Sequence, residues 1–206
     1  MAAGFSKRFG AGNKLLAPFR GKALARHTLD LVCSLASANP ASAGVVPGGL
    51  ASGVPGHVFG VFFIAAEDAV LALADALPLR PIRNRHPERG QRESIRLGLT
   101  AAGPAEYYFF FPCDQPLLDA ATVCRIAAAR RPGRIVQPCY RGEPGSPVLF
   151  SGLFRDELLG LGEGERGRTV IDRHRGSLIR LELTAVPVPP PHNPLTDIDD
   201  PQTLAG

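Results

Sequence analysis

The chain has 206 residues, of which 45% are hydrophobic and 20% charged, with a formal net charge of +4 at pH 7 and a sequence pI ≈ 9.1. That size and composition fit one α/β domain with a real core, so residues 1–206 are read as a single domain. No apolar run reaches the roughly 18 residues of a membrane span, and Lys7, Arg8 and Gly10 fall where a secretory signal would be apolar, which makes the cytoplasm the expected compartment. Basic residues gather at 7–22 and 80–96 without interleaved aromatics, and Trp is absent, which argues against a nucleic-acid partner.

In chain order, the first informative stretch is residues 2–14, AAGFSKRFGAGNK. Glycines such as Gly4 and Gly10 let backbone N–H groups turn inward and form an anion nest. Arg8 and Lys14 add fixed positive charge at a spacing that reaches different phosphates, and Ser6 adds a donor. Residues 36–57 are mostly Ala, Ser, Gly and Pro and read as a long loop. After it, apolar runs of strand length alternate with helical patterns, the mark of a mostly parallel sheet covered by helices. Strands are expected at 58–66, 107–113, 134–138, 147–150 and 178–186, and helices at 67–77, 118–130 and 154–161.

Two acidic positions follow from this plan. Asp114 comes directly after the apolar run 107–113, so it projects from the carboxyl edge of the sheet, where open α/β sheets bind ligands. A hard oxygen donor there suits Mg²⁺, which takes one or two carboxylates together with phosphate oxygens; the competing reading is a helix N-cap. The cluster Asp197, Asp199 and Asp200 before Pro201 offers a second carboxylate or an acidic surface turn. Asn84 either borders a base or is a turn residue ahead of His86 and Pro87. Cys33, Cys113, Cys124 and Cys139 lack any CxxC pair and read as small buried hydrophobes. The five histidines show no ligand spacing and read as surface residues.

The segment AAGFSKRFGAGNKLLAPFRGKAL resembles the AAGxSxRxG…KLL…GKPL signature of the MobA-like nucleotidyltransferases, nearest in pattern to the molybdenum cofactor cytidylyltransferases. Later blocks fall in family order: QRESIRLGL at 91–99, Asp114-Gln115-Pro116, GEPGSPVLF at 142–150, residues 164–168, and DIDDP at 197–201. The resemblance implies a three-layer Rossmann-like nucleotidyltransferase fold. It also implies transfer of a nucleotidyl group, CMP from CTP by the AAG form of the loop, to the terminal phosphate of molybdopterin, with release of pyrophosphate. Ala2, Ala3, Gly4, Ser6, Arg8, Gly10, Lys14, Ser94 and Gly98 then hold the nucleotide, Arg8 and Lys14 serve catalysis, and Asp114 with Asp199 (Asp197 as the alternate) holds Mg²⁺. Acceptor contacts are expected at 142–147 and from Arg141, Arg166 and Arg168, with transient contact to a molybdoenzyme.

The sequence departs from the family in four places. Family members carry an apolar strand before this loop, whereas Met1 directly precedes Ala2, so the first strand is expected to be truncated, by a late start or by nature. Ser146 stands in place of His, Glu165 in place of Asp, and Cys113 in place of Gly. Sugar-phosphate and methylerythritol phosphate nucleotidyltransferases, and a non-catalytic cofactor-maturation protein on the same fold, remain alternatives.

Overall fold

A computed structural model describes residues 13–37, 60–184 and 192–199. The chain enters through a short antiparallel ribbon, β1 (Pro18–Phe19) with β2 (Lys22–Ala23), and runs straight into α1 (Leu24–Ser37). The two turn residues, Arg20 at φ 45 and Gly21 at φ 86, both lie in the left-handed region that a tight two-residue hairpin requires. Next come β3 (Phe62–Ala65), α2 (Asp68–Leu71) and β4 (Arg80–Arg83). β3 and β4 pair in parallel, Phe62 opposite Arg80 through Ala65 opposite Arg83.

After α3 (Gln91–Ala102) the chain builds a larger sheet from β5 (Tyr107–Phe110), β6 (Ile135–Tyr140), β7 (Glu143–Pro144), β8 (Val148–Ser151) and β9 (Leu178–Glu182). β8 lies between β5 and β6 and is antiparallel to both, while β9 pairs in parallel with β6. It follows that β5, β6 and β9 share one direction and β8 alone of these four is reversed, in keeping with the expected mostly parallel sheet. β7 is the short return arm of a hairpin on β6.

Neighbouring residues in these strands go to opposite faces, and both faces are covered. Tyr108, Ile135, Val148 and Phe150 join Ile95 and Leu99 of α3, Leu158 of α5 (Arg155–Leu159), and Val170 and Ile171 of α6 (Gly167–Arg173). Val136 and Leu149 face Ile126 of α4 (Ala120–Ala128). Helices on both faces make three layers, and burial on both sides explains why β5 and β8 read as near-continuous apolar runs.

Element boundaries moved for local reasons. The helix expected at 67–77 is α2 plus a 3₁₀ turn at Ala72–Ala74, closed by Ala76 at φ 63. The strand expected at 107–113 stops at Phe110, ahead of Pro112, which has no N–H for a ladder. The helix expected at 118–130 is α4, capped by Asp119, whose Oδ1 accepts from Thr122 N at 2.6 Å. The 154–161 helix is a 3₁₀ turn at Gly152–Phe154 followed by α5. β4 carries no strand-like pattern, because three of its four residues, Arg80, Pro81 and Arg83, are exposed. No described helix is long and apolar enough to cross a membrane. The expected first-strand truncation and most of the 36–57 loop lie outside the described residues.

Candidate active site

Lys14 opens a 3₁₀ turn, Lys14–Leu16, whose geometry is set from both ends. Asn13 caps it, with Oδ1 accepting from Leu15 N at 2.9 Å, and donates through Nδ2 to Glu67 Oε1 at 2.9 Å. Leu15 is buried beside Ala25 and Leu29 of α1 and Phe63 and Ala65 of β3. The turn is thus anchored by an apolar residue next to the lysine, and the Lys14 ammonium is delivered to the carboxyl end of β5.

There it donates to Asp114 Oδ2 at 2.7 Å and Asp199 Oδ1 at 2.8 Å, with Ile198 O at 3.4 Å. The 192–199 segment is held against Asp114 by the Ile198 N bond to Asp114 O (2.9 Å) and by Gln115, whose Nε2 donates to Leu195 O and to Asp197 Oδ1, each at 2.9 Å. Ile198 itself is buried against Phe19 and Leu24. Gln115 looked in sequence like a mere neighbour of Asp114; its role appears only when Leu195 and Asp197 are brought to it.

The charges in this cluster do not behave alike. Burial pulls the Lys14 ammonium down, but its hydrogen bonds to Asp114 and Asp199 outweigh that and hold it above the ordinary lysine value. Asp197 moves the other way: burial and the nearby Asp114 charge push its carboxyl up, against the Gln115 hydrogen bond. Asp199, 61% exposed in its side chain, is the carboxylate paired with Lys14, whereas Asp197 accepts from Gln115. Asp114 Oδ1 is buried and has no hydrogen-bond partner among the described residues. An orphaned carboxylate oxygen beside a second carboxylate fits a hard divalent cation. No group of three or more His, Cys, Asp or Glu side chains suited to a metal occurs among the described residues, so such an ion would take two carboxylates here and its other oxygens elsewhere.

Of the other expected nucleotide residues, Ala2, Ala3, Gly4, Ser6, Arg8 and Gly10 lie outside the described residues. Ser94 is 1% exposed in α3, where its Oγ accepts from Asn84 Nδ2 at 3.2 Å. It stands behind Asn84. Gly98 faces β3: a Cβ there would come 3.3 Å from Ile64 Cδ1, which makes it a close-packing position. Asn84 follows β4 and borders an open cleft of about 490 Å³ with Ala66, Arg83, Arg85 and Pro87. Both halves of the Asn84 amide are used, since its Oδ1 accepts from His86 N at 2.9 Å.

In the expected acceptor region, Arg141 (φ 53) and Gly142 (φ 82) form the tip of the β6–β7 hairpin. Glu182, at the end of β9, accepts from both of their backbone N–H groups, at 3.1 and 2.8 Å, and from Thr184 N and Oγ1 at 3.0 and 2.5 Å. The Thr184 and hairpin bonds lower its carboxyl to about 2. Nothing in sequence ties Glu182 to residues about 40 positions earlier; parallel pairing of β6 with β9 does. The Arg141 guanidinium lies over the Tyr140 ring at 5.5 Å, Arg166 caps α6, and Arg168 pairs with Asp172 at 3.3 Å. Glu165, in the position of the family's Asp, takes Gly162 N at 2.7 Å and pairs with Arg173. Ser146 precedes a cis Pro147, and Cys113 is buried.

A three-layer, mostly parallel sheet with a lysine set between two carboxylates at its carboxyl edge defines a nucleotidyltransferase-type α/β protein. The chain belongs to the MobA-like NTP transferase domain family, whose model matches residues 1–178. It is 28% identical over 188 residues to the nicotine blue oxidoreductase of Paenarthrobacter nicotinovorans, covering 88% of this chain and 83% of that one. Among solved structures, Rv0371c of Mycobacterium tuberculosis H37Rv superposes with a TM-score of 0.71 at 21% identity, covering 100% of this chain and 95% of that one. A manganese complex of Rv0371c superposes at 0.61, also at 21% identity, over 82% and 80% of the two chains. Molybdopterin-guanine dinucleotide biosynthesis protein A of Archaeoglobus fulgidus superposes at 0.63 with 14% identity, over 99% and 92%.

Proposed function

We propose that this nucleotidyltransferase moves CMP from CTP to the terminal phosphate of a molybdopterin acceptor. An acceptor phosphate oxygen attacks the α-phosphorus, a new P–O bond forms, the α–β bridging bond breaks, and pyrophosphate leaves. The observation that carries this reading is the single ammonium of Lys14 joining Asp114 and Asp199 at the sheet edge. CTP is favoured by the Ala2-Ala3-Gly4 form of the loop, and the acceptor by the sequence blocks and by the likeness to the Archaeoglobus protein.

Asp114 and Asp199 would hold a divalent cation, Mg²⁺ by the hardness of their oxygens, with support from the manganese complex of the mycobacterial neighbour. Bound there, the ion supplies positive charge to the phosphate oxygens as negative charge shifts to the leaving group. Lys14 contributes a mobile cation beside it: freed from one carboxylate, its ammonium is placed to meet a phosphate oxygen. Asp197, hydrogen-bonded to Gln115, orients the 192–199 segment. Ser94 acts as a positioning residue through Asn84. In the loop outside the described residues, Gly4 to Gly10 would cradle the triphosphate, with Arg8 as a second cation.

The test is pyrophosphate release measured across four nucleoside triphosphates, with and without a molybdopterin acceptor and Mg²⁺. Release from CTP that depends on the acceptor is the expected result. Release that prefers GTP or ATP would overturn the nucleotide assignment. The likeness to an oxidoreductase favours a second reading, a redox enzyme on this fold. Such an enzyme consumes no triphosphate, so absence of pyrophosphate in every combination would favour it.

A further inference from the structure

We infer that Lys14 is a built-in substitute for the divalent ion, and that the site therefore takes ion and triphosphate together, as one metal–triphosphate substrate, and holds neither well alone. This rests on the nucleotide-binding reading above and deepens it at the same site. Lys14 Nζ donates to Asp114 Oδ2 at 2.7 Å and to Asp199 Oδ1 at 2.8 Å. One oxygen of each carboxylate is thus gathered on a single nitrogen, and any cation that joins the two carboxylates competes with that nitrogen for them. A third acceptor, Ile198 O, lies at 3.4 Å. An ammonium has three N–H donors, so all three have partners and none is left for a phosphate oxygen. To meet a triphosphate, Lys14 has to give up at least one carboxylate.

The backbone gives this lysine no retreat. Asn13 caps the Lys14–Leu16 turn and donates to Glu67, and Leu15 is buried among Ala25, Leu29 and Phe63. Only the side chain can move, so its charge stays near Asp114 and Asp199 whichever ligand arrives. With Lys14 13% and Asp114 21% exposed, water is a poor replacement for a lost partner. A divalent ion alone would serve the carboxylates but leave the ammonium beside a second cation, without acceptors for its protons. A triphosphate alone would give the ammonium acceptors but set its own negative charge against two carboxylates stripped of their cation. Uptake of both removes both penalties, because the carboxylates keep a cation and the ammonium gains phosphate oxygens. Affinities coupled in this way favour each other by the same factor in both directions.

The experiment measures each component alone on the full chain. Free Mn²⁺ is titrated onto the wild type, Lys14→Met and Lys14→Met/Asp199→Asn, with the ion followed by electron paramagnetic resonance and folding checked by thermal melting. The expected result is about tenfold tighter Mn²⁺ binding by Lys14→Met than by the wild type, the scale of coupled sites, and loss of that gain in the double variant. Equilibrium dialysis of CTP onto the wild type should show about tenfold weaker retention in chelator than in Mg²⁺. Free Mn²⁺ bound as tightly by the wild type as by Lys14→Met, a gain that survives Asp199→Asn, or equal CTP retention in chelator and Mg²⁺ overturns the inference. Should Lys14→Met not fold, the Lys14 ammonium signal of a ¹⁵N-lysine-labelled wild-type chain decides, since the sequence holds only Lys7, Lys14 and Lys22. That signal should keep its position in Mg²⁺ alone and shift with Mg²⁺ and CTP together; a shift in Mg²⁺ alone overturns the inference. If the Mn²⁺ results hold but CTP binds under neither condition, the built-in cation stands and the nucleotidyl-transfer reading falls.

Discussion

Lys14 and Asp114 lie 100 residues apart in the chain and meet at 2.7 Å, the lysine 13% exposed and the aspartate 21%. Neither partner is at home alone in such a place. The ammonium is held charged by two carboxylates, and those carboxylates would repel each other without it. The pairing joins Lys14, the end of β5 and the 192–199 segment at one point, so that the lysine ties three parts of the chain together.

Replacing Lys14 by Met should therefore cost stability before any ligand is considered. The expected loss is about 1–3 kcal/mol, less than for a fully buried pair because Asp199 faces water. Urea denaturation in the presence of a chelator measures it. A divalent salt should restore more stability to this variant than to the wild type, since the ion replaces the missing positive charge. Unchanged stability of the Lys14→Met chain in chelator would contradict the arrangement. In the proposed reaction the same variant loses turnover.

Gly145 links the β6–β7 hairpin to the segment that carries Asp199. A Cβ at this position would fall 2.7 Å from Leu195 Cδ1 and 3.0 Å from its Cβ. Gly145→Ala must push Leu195, and with it the chain carrying Asp197 and Asp199. Overpacking of this kind costs about 1–3 kcal/mol. The expected signature is a larger fall in metal affinity than in thermal stability, read by Mn²⁺ titration and by melting.

Gly152 tests the fold alone. Its N–H donates to Glu106 O at 2.6 Å, and an added Cβ would lie 2.1 Å from Ala105 O, a backbone atom that has no room to yield. Gly152→Ala should lose several kcal/mol, on the scale of severe core strain, and show it in the soluble yield and urea midpoint without any link to ligand.

Glu182 gives a pH signature. Its folded carboxyl sits at about 2, below the ordinary 4.5, because it is hydrogen-bonded to Thr184 and to the hairpin tip at Gly142 and Arg141. A depressed acid stabilises the fold fully above the unfolded value and loses that stabilisation as pH falls through the window from 4.5 toward 2. The Glu182→Gln chain should lose less stability than the wild type between pH 5 and pH 3. Urea midpoints at the two pH values decide this; identical falls in both chains would remove Glu182 from the account.

Ser94→Ala separates direct contact from positioning. The hydroxyl is buried and its partner is the Asn84 amide, so its loss should cost about 1 kcal/mol of stability and weaken nucleotide binding through Asn84. Combining it with Asn84→Ala should weaken binding little further. Additive losses in a double-mutant cycle would show that Ser94 meets the nucleotide itself.

Much of this protein was legible in the amino-acid order. The strand-length runs read at 107–113, 134–138 and 147–150 marked a sheet covered on both faces, because strands buried on both sides do not alternate regularly with polar residues. Asp114 declared itself by following such a run, and Lys14 and Asp199 by the resemblance of their surroundings to a family pattern. Tertiary structure alone decided the rest. The resemblance put Asp199 ahead of Asp197 without a physical reason; Gln115, reaching across from beside Asp114, holds Asp197 and leaves Asp199 to Lys14. Glu182 and Gly145 carry no local signal. Their places come from parallel pairing and from side chains far along the chain. Local order specifies which residues can form a strand or carry a charge, but the partner each charge meets is set by how the segments pack.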